Sequence, residues 1–410
     1  MAAWEAHRIS ADKGYQHRAI RKAECTRLWQ NVVLPPSLVT DFPPPLAAVP
    51  IGSHPDKFDF TECDMGGGLR TPLIKAGPQY YLRTLPSKPY YICSCVNGNV
   101  AFWWNEAMGE CGAEEICSVN YLYDTTRPTG AGSRTYWVDG TAAQTWNRVM
   151  FTYCMDCCNP ESPTFIRDPT KPLYGRVDIY RNPPGHTFML PDAIHGLSAR
   201  YGKTLSHVAS TEERCNKVCK NCKSGTEAID SVLMQQHFFR QWRPYLRQMY
   251  RKNPRTTTLV RYKLLDFHWA NFGWGKDPSG NAVHHPGEVW LYTCTGDSRE
   301  EWHKETPVKL VFPLNYKVDG TLPRDQLSLI DWVASKGKII QPISHNRFES
   351  YTGPLPLEVA KQRDLRTLSV YLRDYLSQAA IDLLYPEPES DDDSADSESD
   401  SDSEEGSESD

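Results

Sequence analysis

Tyr90-Tyr-Ile-Cys-Ser-Cys-Val96, then Asn97-Gly98, then Asn99-Val-Ala-Phe-Trp-Trp104 is the stretch whose reading decides the fold. Both halves are rich in β-branched and aromatic residues, which pack well on a pleated surface. Asn-Gly between them supplies two residues that tolerate the positive φ of a type I′ turn. The stretch therefore predicts two antiparallel strands. A two-residue turn would set Val96 opposite Asn99, Cys95 opposite Val100 and Cys93 opposite Phe102, which places Cys93 and Cys95 on one face as core thiols.

The pattern extends in both directions. Tyr80-Tyr-Leu-Arg-Thr-Leu85 reads as an earlier strand, and Arg134-Thr-Tyr-Trp-Val138 as a later one. Asp139-Gly140 predicts a second hairpin, returning in a strand that ends at Tyr153. Thr257–Trp269, Glu288–Cys294 and Pro307–Pro313 form a third run of strands. Asp277-Pro-Ser-Gly280, with Pro at i+1 and Gly at i+3, carries type I turn chemistry and points to an antiparallel meander.

Helical spacing is found in three places. Residues 1–30 have mixed charge and end before seven prolines between Leu34 and Pro55, which read as an extended arm. Ile229, Val232, Leu233, Phe239 and Trp242 fit a helix over Thr226–Trp242, which Pro244 would divide from Tyr245–Lys252. Leu357, Leu365, Leu368, Leu372, Leu376 and Leu383 fit one amphipathic helix over 356–384. Pro160–Lys203 reads as irregular loops.

The expected fold is α+β, built mainly of antiparallel sheets, with an N-terminal helix, a central helix, a C-terminal amphipathic helix and a disordered acidic tail. The expected divisions are an N-terminal helix and Pro-rich arm (1–55), a β-rich region with the Cys clusters (56–225), a helix, meander and C-terminal helix (226–385), and the tail (386–410). The second and third regions could share one domain.

Six of thirteen cysteines fall in two clusters, Cys154-Met-Asp-Cys157-Cys158 and Cys215-Asn-Lys-Val-Cys219-Lys-Asn-Cys222. Each holds a Cys-x-x-Cys pair, and two such pairs can present four thiolates to a tetrahedral structural Zn²⁺, with Cys154, Cys157, Cys219 and Cys222 as ligands. Cys158, Cys215, His195 and His207 are alternative ligands. The competing reading is that these thiols are small core hydrophobes.

Arg240-Gln-Trp-Arg-Pro-Tyr-Leu-Arg-Gln-Met-Tyr-Arg-Lys-Asn-Pro-Arg255 alternates cations with rings. Arg240, Arg243, Arg247, Arg251, Lys252 and Arg255 could neutralise phosphates while Trp242 stacks on a base. Alternatively, Trp242, Leu246 and Met249 form a buried stripe and the arginines its solvated back.

The formal net charge of −6 hides an asymmetry. Residues 386–410 hold thirteen acidic and no basic residues, leaving 45 basic against 38 acidic in 1–385, a surplus of +7. Such a tail can compete with nucleic acid for a basic body, or recruit basic proteins. Ser390, Ser397, Ser399, Ser401 and Ser407 each have an acidic residue three positions on, the pattern an acidophilic kinase reads.

No apolar run reaches the roughly 18 residues of a membrane span, and Met1-Ala-Ala-Trp-Glu-Ala-His-Arg lacks a secretory pattern. The expected setting is the nucleus or cytoplasm. Gly66-Gly-Gly68 is not followed by the Lys of a phosphate loop. An unrecognised hydrolase or nuclease site would draw on His268, His284 or His285. The leading expectation is a zinc-stabilised binding protein with a basic aromatic surface for nucleic acid or an acidic partner. The alternatives are that enzyme and a protein-interaction scaffold.

Overall fold

The computed structural model describes residues 2–34, 53–74, 76–159, 173–182, 185, 188–224, 227–249 and 355–387, with short segments between 255 and 340. The Pro-rich arm at 35–52 and the tail from 388 lie outside the described residues, as do the turn at 277–280, His284, His285 and all five candidate phosphoserines.

The chain opens with α1 (Ala2–Trp29), whose buried positions Ala11, Gly14, His17, Cys25 and Trp29 share one helical face. β1 (His54–Met65) follows, then β2 (Lys88–Ser94), β3 (Gly98–Trp104) and α2 (Ala113–Thr126). α2 is capped where Glu115 Oε2 accepts from the Gly112 amide (3.0 Å). β4 (Ala131–Val138) leads to α3 (Arg148–Cys157), capped by Asn147, whose side chain accepts from the Met150 amide (3.0 Å). Next come β5 (Arg176–Arg181), α4 (Leu190–Thr204), α5 (Thr211–Asn221), β6 (Lys223–Ser224), β7 (Glu227–Leu233) and α6 (Trp242–Met249). The remaining strands are β8 (Arg255–Thr256), β9 (Trp269–Gly273), β10 (Gly275–Lys276), β11 (Ala282–Val283), β12 (Glu288–Tyr292), β13 (Val308–Val311), β14 (Trp332–Val333) and β15 (Ile339–Ile340). α7 (Val359–Ser369) and α8 (Gln378–Leu384) close the described chain.

One sheet runs in the order β6-β7-β3-β2-β1-β4-β5-β9-β12-β13-β8. It is mixed, which corrects the mainly antiparallel expectation: β1 with β4, β4 with β5 and β3 with β7 are parallel. The α+β content holds, and β9, β12 and β13 run antiparallel in succession, although β9 begins at Trp269, where the first meander strand was expected to end, and residues 257–266 lie outside the described ones.

Strand alternation divides the core into two layers. Ile92, Val100, Phe102, Tyr136, Val138, Ile179 and Phe272 point to the side covered by α2, α3 and α6. The other face carries two clusters. Phe58, Phe60, Trp137 and Tyr180 meet α1, while Tyr91, Cys93, Ala101 and Trp103 meet α4 and α5. On the α1 side an aromatic ladder crosses four strands: Trp137 stacks on Tyr180 (4.9 Å), Tyr180 on Trp269 (5.5 Å) and Trp269 on Tyr292 (3.9 Å).

Several local expectations are overturned. The β2–β3 loop holds three residues, Cys95, Val96 and Asn97, so Cys93 pairs with Asn99 and Ile92 with Val100. Ser94 Oγ accepts from the Val96 and Asn97 amides (2.9 and 3.0 Å), and Gly98 takes positive φ (+73°). Tyr80–Leu85 is a 3₁₀ turn and coil, with Tyr80 and Tyr81 exposed. Beyond Asp139-Gly140 the chain enters α3 instead of a strand, because Asn147 starts a helix. Over 173–204 the chain forms β5 and α4, not loops. Glu227–Leu233 is a strand paired with β3, and the C-terminal helix is split at Val370–Leu372, with Ser377 capping α8. Among the described residues no helix is long and apolar enough to cross a membrane.

Candidate functional site

Cys154 and Cys157 lie on α3 and, with Cys158, are buried in the layer shared with α2 and α6. Cys215 and Cys222 lie on α5 and at its end, in the α4/α5 cluster on the opposite face of the sheet; the Cys219 side chain lies outside the described residues. The structure thus carries the two Cys-x-x-Cys pairs on helices that the sheet separates. Among the described residues no group of three or more His, Cys, Asp or Glu is placed to hold a metal ion. Burial pushes the Cys154 and Cys157 thiols well above the ordinary range, and Cys158 and Cys222 upward. His195 faces Tyr91 (ring centroids 6.1 Å) and His207 stacks on Tyr375 (3.7 Å); His195 packs in the α4 layer, across the sheet from Cys154 and Cys157.

The basic aromatic segment divides along the helix. Trp242 is completely buried; its Nε1 donates to Ser118 Oγ (3.0 Å) and its ring meets the edges of Tyr121, Tyr153 and Tyr245. Tyr245 and Leu246 are buried beside it. Trp242 is therefore a core residue with no face to offer a base, a correction to its assignment as a stacking residue. Arg240 is half-buried, and desolvation pulls its guanidinium down to about 10. Arg243 is exposed, its amide donating to Glu114 Oε1 (2.7 Å) and its Nε 3.9 Å from Glu114 Oε2. Arg255 pairs with Val311 through the backbone of β8. The Arg247 side chain, Arg251 and Lys252 lie outside the described residues.

A groove of about 200 Å³ opens where α3 meets α6, lined by Arg148, Val149 and Thr152 from one helix and Arg243 and Leu246 from the other. Leu246 and Val149 give it an apolar floor, and the two arginines bring positive charge to it from separate elements. Arg148 also stands in the first turn of α3, where the helix dipole favours an anion. The sequence reading missed Arg148, because it lies some ninety residues from the basic segment and only the α3–α6 packing brings it there.

A second groove of about 470 Å³ lies where the C-terminal end of α1 approaches the β2–β3 loop. Cys95, Asn97, Arg127 and Asp230 line it, with Arg127 paired to Asp230 (2.8 Å) and Asn97 Nδ2 donating to the Arg127 carbonyl (2.8 Å).

Between the layers lies a buried charge network. Arg134 of β4 donates to Asp59 of β1 and stands 3.6 Å from Asp124 of α2. Tyr136, Tyr153 and Tyr174 donate to Asp124 (3.3, 3.1 and 2.9 Å), and Ser94 donates to Asp59 (2.7 Å). Burial pushes both carboxyls up, against the pull of Arg134. These contacts clamp β1, β4 and α2 together. His268 likewise belongs to the sheet, its amide donating to the Tyr292 carbonyl (2.9 Å) and its carbonyl accepting from the Arg181 amide (2.8 Å).

Compared with known proteins, the chain matches no family model, no curated protein and no solved structure.

Proposed function

We propose that this chain is a binding protein whose arginine-lined α3–α6 groove takes an anionic polymer, nucleic acid in the first place, and whose acidic tail competes for the same surface. The observation that carries the reading is the convergence of Arg148 and Arg243 on one groove in a body with a formal surplus of +7 over residues 1–385. The burial of Trp242 and Tyr245 refines it. With those rings in the core, binding rests on phosphate contacts, which carry no base information and release counterions. Affinity should then be insensitive to sequence and should not favour single over double strands. A nuclear setting belongs to the same proposal, since such a polymer is abundant there.

The test is fluorescence anisotropy with a labelled 20-mer, single- and double-stranded, between 50 and 200 mM salt. The protein is measured whole and truncated after Pro388, which retains the Arg366–Glu387 pair (2.7 Å) and the packing of Tyr385. The truncated chain should bind at micromolar concentration or better and the whole chain more weakly. Arg148→Glu with Arg243→Glu should lower affinity at least tenfold with unchanged melting. Undiminished binding by that double variant sinks the reading.

A further inference from the structure

Cys25 and Cys95 are seventy residues apart in sequence and adjacent in space. Cys25 is completely buried on the sheet-facing side of α1, its Sγ donating to the Phe58 carbonyl of β1 (3.2 Å). Cys95 is held in the β2–β3 loop, where its amide donates to the Phe60 carbonyl on the same strand (3.1 Å). Both belong to the apolar cluster under α1, both are free thiols, and the carbonyls that hold them, Phe58 and Phe60, are two residues apart on β1, so each thiol bears on the other's ionisation. They differ in access: Cys25 is sealed, whereas Cys95 is half-buried and lines the groove of about 470 Å³.

We propose that Cys25 and Cys95 are a redox-active dithiol, in which Cys95 reacts with a peroxide entering through the groove and Cys25 resolves the product. In the first step the Cys95 thiolate attacks one oxygen of the peroxide. An S–O bond forms, the O–O bond breaks, hydroxide leaves, and Cys95 becomes a sulfenic acid. In the second, the Cys25 sulfur displaces that oxygen: the S–S bond forms, the S–O bond breaks and water departs. The peroxide is the two-electron oxidant throughout.

The surroundings favour this division of labour. The neighbouring Cys25 thiol holds the Cys95 thiol below its ordinary range, and Lys22 and Thr26 of α1 act in the same direction. Burial and Asp59 of β1 oppose them. For Cys25 the neighbouring Cys95 thiol, burial and Asp59 all push upward, so Cys25 keeps its proton until it resolves the sulfenic acid. The disulfide would tie the C-terminal half of α1 to the β2–β3 loop, closing a loop of about seventy residues.

The experiment treats the reduced, full-length protein with equimolar hydrogen peroxide, alkylates the remaining thiols and maps peptides by mass spectrometry. A Cys25–Cys95 linked peptide should be the first oxidised product, with the other eleven thiols alkylated. In Cys25→Ser, dimedone should label Cys95; in Cys95→Ser, Cys25 should stay unlabelled. The oxidised protein should melt higher, by roughly 5 °C. Cys111 provides a control needing no variant, because it too is half-buried but burial raises its thiol. With iodoacetamide at pH 7, Cys95 should react at least tenfold faster than Cys111. Equal rates, or first oxidation at any other thiol, would overturn the proposal.

Discussion

Asp64 stands near the end of β1 with its Oδ1 accepting from the Met65 amide (2.8 Å), and burial, with Asp139 and Asp192 close by, pushes its carboxyl up to about 7. In the unfolded chain it should titrate near the ordinary value of about 4. Between those values the folded state holds a proton that the unfolded state has lost, so stability falls as pH rises through that window and the cost is complete above about 7. Asp64→Asn removes the cost. Urea unfolding should show the variant more stable than the parent at pH 8, by about 2 kcal/mol after allowance for solvent screening, and equal near pH 4. An unchanged difference at the two pH values would show that folding does not shift the Asp64 carboxyl. Charged residues of this kind also explain why β1 was not legible in the sequence. Asp59, Thr61 and Glu62 occupy buried positions of that strand, where a reader expects apolar side chains. They become intelligible only once Arg134, the Thr135 carbonyl that accepts from Thr61, and Lys22 are seen as their partners from elsewhere in the chain.

Misread elements share a physical cause. Ile229, Val232 and Leu233 fit a helical period over so short a run, but parallel pairing of β7 with β3 makes it a strand buried on both faces, with Ile229 and Leu233 on one and Val232 on the other. Asp139-Gly140 does turn the chain, with Gly140 at φ +81°, but the Asn147 cap then begins α3 where a return strand was expected. The β2–β3 hairpin and the strands β12 and β13 were legible because their signals are local: β-branched and aromatic runs, joined in the hairpin by turn residues. The misassignment of α3 matters for metal chemistry, since it moves Cys154 and Cys157 from a sheet edge into a helix–sheet core. With α3 and α5 on opposite faces, prolonged dialysis against a chelator should leave the melting temperature unchanged. Cys154→Ala should cost about 1 to 2 kcal/mol through lost packing whether or not chelator is present. One tightly held zinc per chain, with stability lost on its removal, would contradict this placement.

For the molecule as a whole, charge separation between body and tail is the dominant feature the sequence made plain, and the α3–α6 groove is the feature it could not, since Arg148 and Arg243 meet only through packing. Phosphorylation links the two. Modification at Ser390, Ser397, Ser399, Ser401 and Ser407 would take the tail from −13 to about −21 to −23. Treating the full-length protein with an acidophilic kinase should therefore weaken DNA binding further, at least threefold at 100 mM salt, with no effect on the chain truncated after Pro388; equal binding before and after modification would argue against competition by the tail. The aromatic ladder has a different reach. Trp137, Tyr180, Trp269 and Tyr292 stand nearly parallel, and the step from Tyr180 to Trp269 crosses the junction between the parallel strands and the antiparallel meander. Rings so aligned couple their electronic transitions, which makes the ladder a built-in chromophore for near-ultraviolet circular dichroism. Its signal depends on both halves of the sheet being joined, so it reports docking of the meander separately from helix content.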